Sequence, residues 1–133
     1  MAQDMTEEVN AFENSLQRIE IRHWKMNKEE QNQYLQTEKE IWPDNPLGME
    51  RLLEFKGKPN WTAITAFDGK DIVGGIMAWE DLEEPVGVIE DLFVKETYRK
   101  LGLGRNLLTS GLTYLQSVGF KEMSEEKRFN IEL

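Results

Sequence analysis

Four stretches of the chain carry the β-branched and apolar residues that strands favour. They are residues 19–24, where apolar and polar positions alternate, and then residues 61–67, 72–79 and 86–94. The dipeptide Asp68-Gly69 lies between the second stretch and the third, and such a dipeptide predicts a tight hairpin. A short last strand is expected over residues 120–123.

Apolar residues at helical spacing predict two helices between the first strand and the second. The first helix is expected to begin at the capping pair Asn27 and Glu30 and to end before Pro43, because proline does not continue a helix. The second helix is expected to start at Asn45-Pro46 and to end at Gly57.

The first 17 residues also have a helical pattern. Asp4 and Glu7 stand at capping-box spacing. In a helix, Met5, Val9, Phe12 and Leu16 would form one apolar stripe. We therefore predict an N-terminal amphipathic helical extension over residues 1–17 and one further domain over residues 18–133.

The chain is organised around a strand that runs into a basic, glycine-spaced turn and then a helix. Strand 86–94 leads through Arg99-Lys100-Leu101-Gly102-Leu103-Gly104 to a helix from about Arg105 to a C-cap at Gly119. The N–H groups at a helix start have no partner inside the helix, and the helix dipole adds partial positive charge there. The glycines of the turn permit close approach, and its Arg and Lys side chains add charge. This combination predicts a pyrophosphate-binding site.

Two other kinds of phosphate-binding loop are excluded by the spacing. A P-loop needs Gly-x-x-x-x-Gly-Lys-Ser/Thr, and the sequence contains no such run. A dinucleotide-binding loop needs a third glycine where this chain has Leu107.

The turn and its strand instead resemble the signature of the GNAT superfamily of acyl-CoA-dependent N-acetyltransferases. Leu92-Phe93-Val94 and Arg99-Lys100-Leu101-Gly102-Leu103-Gly104 match that signature at every position. Gly119-Phe120-Lys121-Glu122-Met123 resembles the strand that follows the family's long helix. As an order of elements the resemblance spans residues 19–123, and it is specific to the motif over residues 86–119.

The resemblance implies an α/β (α+β) fold, with a mixed, mostly antiparallel sheet flanked by helices. The predicted order β-α-α-β-β-β-α-β corresponds to the first three quarters of the family fold, so we expect a C-terminally short version of it. The family's usual general acid is a tyrosine in a helix beyond these elements, and no residue of this chain inherits that role by motif.

The resemblance also implies acetyl-CoA as the co-substrate, bound without a metal. In the family, the strand that ends in the triplet splays apart from its neighbour. Leu92, Phe93 and Val94 would therefore contact the pantetheine arm through main-chain atoms. The cofactor-binding turn comprises Arg99, Lys100, Leu101, Gly102, Leu103, Gly104 and Arg105. The N–H groups of its last four residues would hold the pyrophosphate.

An acceptor ammonium must lose a proton before it attacks a thioester, and a carboxylate can take that proton. Glu90 is the candidate general base, since some family members carry a carboxylate near this position. Strict alternation along a strand places Glu90 on the face of Leu92 and Val94, and Asp91 on the opposite face. The alternative is a structural carboxylate that pairs with a Lys or Arg side chain.

Five other positions carry side chains that could serve a function. Glu80 and Asp81, at the end of the preceding strand, are weaker candidates to line an acceptor site. The single histidine, His23, is expected on the surface or in packing contacts. Trp42 lies where the family builds its acceptor site, but packing in the core is favoured for it. Tyr98 is expected to pack under the glycine turn rather than to act as an acid.

Composition narrows the function further. The sequence has no cysteine, which excludes disulfides, thiolate metal sites and a cysteine acyl-enzyme. No 18-residue apolar run suggests a membrane span, and the acidic N-terminus does not resemble a signal peptide. We therefore predict a cytoplasmic protein.

The net charge is −9, from 25 acidic and 16 basic residues. Only the rim over residues 95–105 is basic, so no nucleic-acid partner is expected. A negative surface favours a cationic amine acceptor by electrostatic steering.

The function these observations favour is direct transfer of an acetyl group from acetyl-CoA to the amine of a small molecule. A non-catalytic acyl-CoA-binding or sensing domain and a pure interaction module are the alternatives. A short C-terminal part would leave an apolar flank and an unpaired strand edge, which invite association. We therefore expect the helix over residues 1–17 to cover part of this flank, either in its own chain or in the partner chain of a homodimer.

Overall fold

The computed structural model describes residues 18–119, 123–125 and 129–130. The predicted helix over residues 1–17 and the first residues of the predicted last strand, 120–122, lie outside them. The elements, in chain order, are β1 (Ile19–Trp24), α1 (Lys28–Ile41), α2 (Met49–Lys56), β2 (Thr62–Asp68), β3 (Asp71–Asp81), β4 (Val86–Val94), α3 (Leu103–Ser117), β5 (Met123–Glu125) and β6 (Phe129–Asn130). No helix in this part of the chain is long and apolar enough to span a bilayer.

The strands form one mixed sheet. Strands β1 to β4 pair with their chain neighbours in antiparallel register. Strand β4 also pairs in parallel with β5 and with β6. A two-residue turn connects β2 to β3, where Asp68 pairs with Asp71 and Gly69 has a φ of 64°. The predicted mixed, mostly antiparallel sheet flanked by helices is confirmed, as is the predicted hairpin.

The first helix begins and ends as the sequence predicts. Asn27 accepts a hydrogen bond from the Glu30 N–H at 2.9 Å, and the Glu30 carboxylate accepts one from the Asn27 N–H at 2.6 Å. This reciprocal capping satisfies two N–H groups that would otherwise have no helical partner. Helix α1 then ends at Ile41, ahead of Pro43.

Helix α2 begins later than the predicted start at Asn45-Pro46. Gly48 is its N-cap, with extended backbone, and the preceding Leu47 N–H is donated to the buried Glu38 carboxylate at 3.4 Å. Leu47 is itself buried in the core, so the segment before α2 is held against α1 rather than wound into the helix. The predicted end at Gly57 is confirmed.

Hydrophobic side chains pack on both faces of the sheet. Helices α1 and α2 cover one face, called here the α1–α2 face, and α3 covers the other, called the α3 face. Core residues of the α1–α2 face include Tyr34, Leu52, Phe55, Met77, Trp79, Val88 and Phe93. Core residues of the α3 face include Ile64, Ile76, Ile89, Leu92, Val94, Leu103, Leu107 and Leu115.

Helix α3 begins close to the end of β4 because β3 has a glycine at the point of contact. A Cβ atom on Gly74 would lie 3.0 Å from a methyl carbon of Leu107 and 3.6 Å from one of Leu103. Gly74 is the cross-strand partner of Val94, the last residue of β4. The missing side chain therefore lets the first turn of α3 lie directly beside the end of β4.

Strand β4 contains a β-bulge. Phe93 pairs with Gly75 and Glu90 pairs with Met77, so two residues of β4 lie opposite Ile76 alone. The first of the two, Asp91, has a φ of 64°, which is the left-handed region that Asp enters more readily than most residues. An extra residue shifts the alternation of side chains beyond it.

Candidate functional site

The glycine turn leads into the start of α3, where Gly102 and Arg105 are exposed. Lys100 and Gly102 both have left-handed backbone, with φ values of 65° and 83°. Gly102 is the N-cap of α3, and the first helical hydrogen bond runs from the Asn106 N–H to the Gly102 carbonyl at 3.0 Å. The N–H groups of residues 103–105 therefore precede that bond and point out of the helix start. An anion placed there would meet these N–H groups and the positive end of the helix dipole.

Several hydrogen bonds fix the turn to the sheet. The Lys95 N–H is donated to the Val73 carbonyl at 2.8 Å, and the Arg99 Nε–H is donated to the Val94 carbonyl at 2.9 Å. The Tyr98 hydroxyl donates to the Asp68 carboxylate, and its ring packs against the α3-face core. That hydrogen bond and partial burial raise the pKa of the Tyr98 phenol. The predicted packing role of Tyr98 under the turn is confirmed.

The bulge divides the edge of β4 between two partners. Strand β5 pairs with Gly87–Ile89, and β6 pairs with Leu92 and Phe93. The β5 ladder thus stops before the bulge, as expected for neighbouring strands that separate there. Beyond the bulge, the main-chain edge assigned by resemblance to pantetheine is in contact with β6.

Glu90 does not lie on the face that alternation predicts. Its cross-strand partner Met77 belongs to the α1–α2 face, as do Val88 and Phe93, whereas Leu92 and Val94 belong to the α3 face. The predicted shared face with Leu92 and Val94 is therefore wrong, because the bulge at the next residue reverses the alternation. The Glu90 side chain is buried, with 7% of the residue exposed.

Asp91 also differs from its expected position. Its carboxylate accepts a hydrogen bond from the Tyr34 hydroxyl at 3.2 Å, and Tyr34 lies on α1. Asp91 and Glu90 therefore both direct their carboxylates toward the α1–α2 side, although consecutive strand residues ordinarily face opposite sides. Sequence reasoning did not select Tyr34 or Asp91 for function. The available signal was an Asp inside an apolar strand, where this residue type is rare.

A groove lies beside the turn. Its volume is about 420 Å³, and it is lined by Glu40, Ile41, Lys95, Glu96, Thr97 and Arg99. Lys95 Nζ lies 3.3 Å from a Glu40 carboxylate oxygen, so an ion pair joins α1 to the end of β4 at this point. The groove offers charges of both signs between the end of α1 and the segment that leads into the glycine turn.

The weaker candidates lie elsewhere or serve the fold. Glu80 accepts a hydrogen bond from Asn60 at 2.6 Å, and Asp81 accepts from the backbone of the following turn. Both pair with the first residues of β4, at the opposite end from the glycine turn. His23 is exposed, and its ring centroid lies 5.9 Å from that of Tyr114 with the two rings tilted by 54°. The predicted core packing of Trp42 is confirmed, with its ring 6.1 Å from that of Phe93.

Solved structures share this fold at low sequence identity. The acetyltransferase AAC(6')-Iy, in complex with the bisubstrate analog CoA-S-monomethyl-acetylneamine, is 21% identical, with a TM-score of 0.63 over 82% of this chain and 79% of that chain. An aminoglycoside acetyltransferase from an uncultured soil metagenomic sample, in complex with sisomicin, is 19% identical, with a TM-score of 0.65 over 83% and 78%. A Trypanosoma brucei acetyltransferase is 18% identical, with a TM-score of 0.65 over 82% of each chain.

Sequence comparison agrees with the structural likeness. Among curated protein sequences, none matches the chain. The family model described as "Acetyltransferase (GNAT) family" matches residues 18–130, which includes the bulged strand, the glycine turn and α3. The chain therefore belongs to the GNAT family of acetyltransferases.

Proposed function

We propose that this protein transfers an acetyl group from acetyl-CoA to the amine of a small molecule by direct attack. One observation carries the proposal: the bulged end of β4 and the glycine-capped start of α3 lie side by side in a member of the GNAT family. The first offers main-chain groups to an extended arm, and the second offers N–H groups to a pyrophosphate.

The pyrophosphate of CoA would bind at the helix start. The N–H groups of Gly102, Leu103, Gly104 and Arg105 would donate to its oxygens, because charge-assisted hydrogen bonds to phosphate are the strong ones. Lys100 and Arg105 are exposed at this rim and would add positive charge. The pantetheine arm would then run along the main chain of Leu92, Phe93 and Val94, and would have to take the place of β6 there.

Acetyl transfer requires a neutral amine. Its nitrogen attacks the thioester carbonyl carbon, a C–N bond forms and the C–S bond breaks. The nitrogen then loses one proton to give the neutral amide, and the departing CoA thiolate takes up one proton to give CoA as the thiol. We assign Glu90 the removal of the proton from the acceptor ammonium. Support comes from its position at the bulge, between the end of the β5 ladder at Ile89 and the start of the β6 ladder at Leu92.

A cationic small-molecule acceptor is the substrate class that we favour. One structural neighbour is an aminoglycoside acetyltransferase in complex with sisomicin, and another is in complex with a bisubstrate analog of CoA and an acetylneamine. The net charge of −9 would steer a cationic acceptor toward the protein.

A non-catalytic acyl-CoA-binding or sensing domain is the second candidate. The pairing of β6 with Leu92 and Phe93 favours it, because a protein in which this edge is covered would bind CoA in competition with its own chain. Turnover of acetyl-CoA with a panel of small amines separates the two. Release of free CoA above the no-acceptor rate supports the enzyme, and CoA binding without such release supports the sensing domain.

The site itself is tested by Gly104→Asp. Gly104 is the second residue of α3, and its N–H is one of those assigned to the pyrophosphate, so a carboxylate there would repel the pyrophosphate. We expect CoA affinity, measured by calorimetry, to fall about tenfold or more.

Gly48→Asp is the matched control. It places the same residue at the N-cap of α2, where an added Cβ meets nothing within 4 Å and where Asp is a favourable cap. Its CoA affinity should equal that of the parent protein. Parental affinity in Gly104→Asp would show that the pyrophosphate does not bind at this turn.

A further inference from the structure

Tyr34 and Asp91 form a buried contact between α1 and the bulge of β4. Both residues are 0% exposed, and the Tyr34 hydroxyl donates to an Asp91 carboxylate oxygen at 3.2 Å. Asp91 is also the residue whose backbone is left-handed. The hydrogen bond therefore acts on the residue that shapes the bulge.

The same tyrosine contacts β4 on the far side of Leu92. Its ring meets the Phe93 ring edge to face, with centroids 5.7 Å apart and an interplanar angle of 70°. Gly75, opposite Phe93 in β3, leaves the room for both rings: a Cβ there would lie 3.1 Å from the Phe93 ring and 3.5 Å from the Tyr34 ring. Tyr34 thus holds β4 both at the bulge and just beyond it.

We infer that Tyr34 is a positioning residue that holds the bulge in the shape in which the main chain of residues 92–94 can receive the pantetheine arm. This inference rests on the proposed function. A left-handed conformation is less populated for Asp than for Gly, and it persists where the surroundings determine it. The hydrogen bond from Tyr34 to Asp91 and the ring contact of Tyr34 with Phe93 help to hold this conformation, since they fix the residues on both sides of Leu92.

A role confined to fold stability would have a different consequence. Loss of the Tyr34 hydroxyl would then lower the melting temperature and leave the affinity of the folded protein for CoA unchanged. A positioning role predicts weaker binding by protein that is still fully folded, because part of the binding free energy is then used to order the bulge.

Tyr34→Phe tests this, with Tyr114→Phe as its matched control. Tyr114 donates its hydroxyl to the Asn60 carbonyl at 2.7 Å and packs on the α3 face, so the control removes one tyrosine hydroxyl away from the bulge. We expect Tyr34→Phe to weaken CoA binding and raise the KM for acetyl-CoA about three- to tenfold, with a smaller change in kcat. Tyr114→Phe should match the parent, and equal affinities for CoA in both variants would overturn the inference.

Asp91→Gly is a second test, and it can be interpreted even if the Tyr34→Phe variant does not fold. Glycine enters the left-handed region readily, so the bulge remains accessible but is no longer held by the hydroxyl. We expect CoA affinity to fall about as far as in Tyr34→Phe, and the double variant to bind no more weakly than either single one. Parental affinity in Asp91→Gly, or additive losses in the double variant, would contradict the inference.

Hydrogen exchange separates this inference from the proposed function. In the protein without CoA, Tyr34→Phe should speed exchange at the amides of residues 92–94 and leave α3 as in the parent. If exchange there is unchanged, Tyr34 does not hold the bulge, whatever binds to it. If exchange quickens but the parent protein binds no CoA, the proposed function is wrong while the hold of Tyr34 on the bulge stands.

Discussion

At Asp91 the main chain of β4 enters the left-handed region, and the side chains around it fall on other faces than alternation predicts. Glu90 and Phe93 share the α1–α2 face, although they are separated by an odd number of positions. At the scale of single residues, this brings a buried carboxylate close to the main-chain groups that we assign to pantetheine. The proposed base and the proposed cofactor path are therefore set by one backbone angle.

Glu90→Gln should lower turnover without weakening CoA binding. The amide has the shape of the carboxylate but cannot take a proton, so the rate at neutral pH should fall roughly a hundredfold. The loss should shrink as the pH rises toward the pKa of the acceptor amine, because more of the acceptor is then already neutral. A pH profile of kcat/KM for the acceptor, for variant and parent, measures this.

CoA affinity serves as the internal control for Glu90→Gln. The side chain of Glu90 is not assigned to cofactor binding, so calorimetry should give a parental value. A pH profile equal to that of the parent would show that Glu90 does not take the proton from the acceptor. A comparable loss of CoA binding would instead indicate that Glu90 supports the shape of the site, which is the structural alternative.

Residue-level prediction from the sequence succeeded where a local rule decides and failed where the bulge does. Asn27 and Glu30 cap α1 as predicted, since capping depends on residues three apart. The face of Glu90 depends instead on one extra residue in β4 relative to β3. The extra residue arises from how β4 pairs with β3, and the alternation of residues along β4 alone does not reveal it. The role of Tyr34 was not predicted, because its hydrogen-bond partner Asp91 lies 57 positions away in the sequence.

At the scale of elements, the strand–turn–helix unit was the best predicted part of the chain. Strand β4 has the predicted limits. Helix α3 begins at Leu103, two residues before the predicted start, and its C-cap is Val118 rather than the predicted Gly119, which follows it with a φ of 102°. Gly102 and Gly119 both have positive φ, which glycine adopts readily, so these two turns at the ends of α3 are marked in the sequence. Strand β6 was not predicted, because two residues are too few to show a pattern.

Strand β6 provides a test at this scale. It pairs through Phe129 and Asn130 with the main chain of Leu92 and Phe93, which is the edge that we assign to the pantetheine arm. A chain that ends at residue 128 should bind CoA more tightly than the parent, by about threefold to tenfold, since the cofactor would no longer displace a paired strand. Calorimetry with CoA measures the difference.

A chain that ends at Asn130 is the control for this deletion. It retains both residues of β6, so its CoA affinity should equal that of the full chain. Weaker binding after deletion to residue 128 would mean that β6 supports the site. Unchanged binding would mean that the cofactor does not use the edge of β4 at Leu92 and Phe93.

At the scale of the whole molecule, charge is distributed unevenly. The chain carries 25 acidic and 16 basic residues, yet Lys95, Arg99, Lys100 and Arg105 all belong to the short segment from the end of β4 to the first turn of α3. An anionic cofactor would thus meet a local basic rim on a protein that is negative overall. A cationic acceptor would be attracted by the molecule as a whole. The extension over residues 1–17, the domain limit at residue 18 and association into a homodimer stay predictions.

The effect of ionic strength on kcat/KM should therefore increase with the positive charge of the acceptor. The Debye length falls from about 30 Å at 0.01 M salt to about 3 Å at 1 M, so steering by the net charge of −9 is removed across this range. With acetyl-CoA saturating, kcat/KM for an acceptor with several amino groups should fall about tenfold between these salt concentrations. An acceptor with a single amine is the control and should lose much less, because the attraction scales with its charge. Equal salt dependence for the two acceptors, or a rate that rises with salt for the more highly charged one, would show that the acidic surface does not select the acceptor.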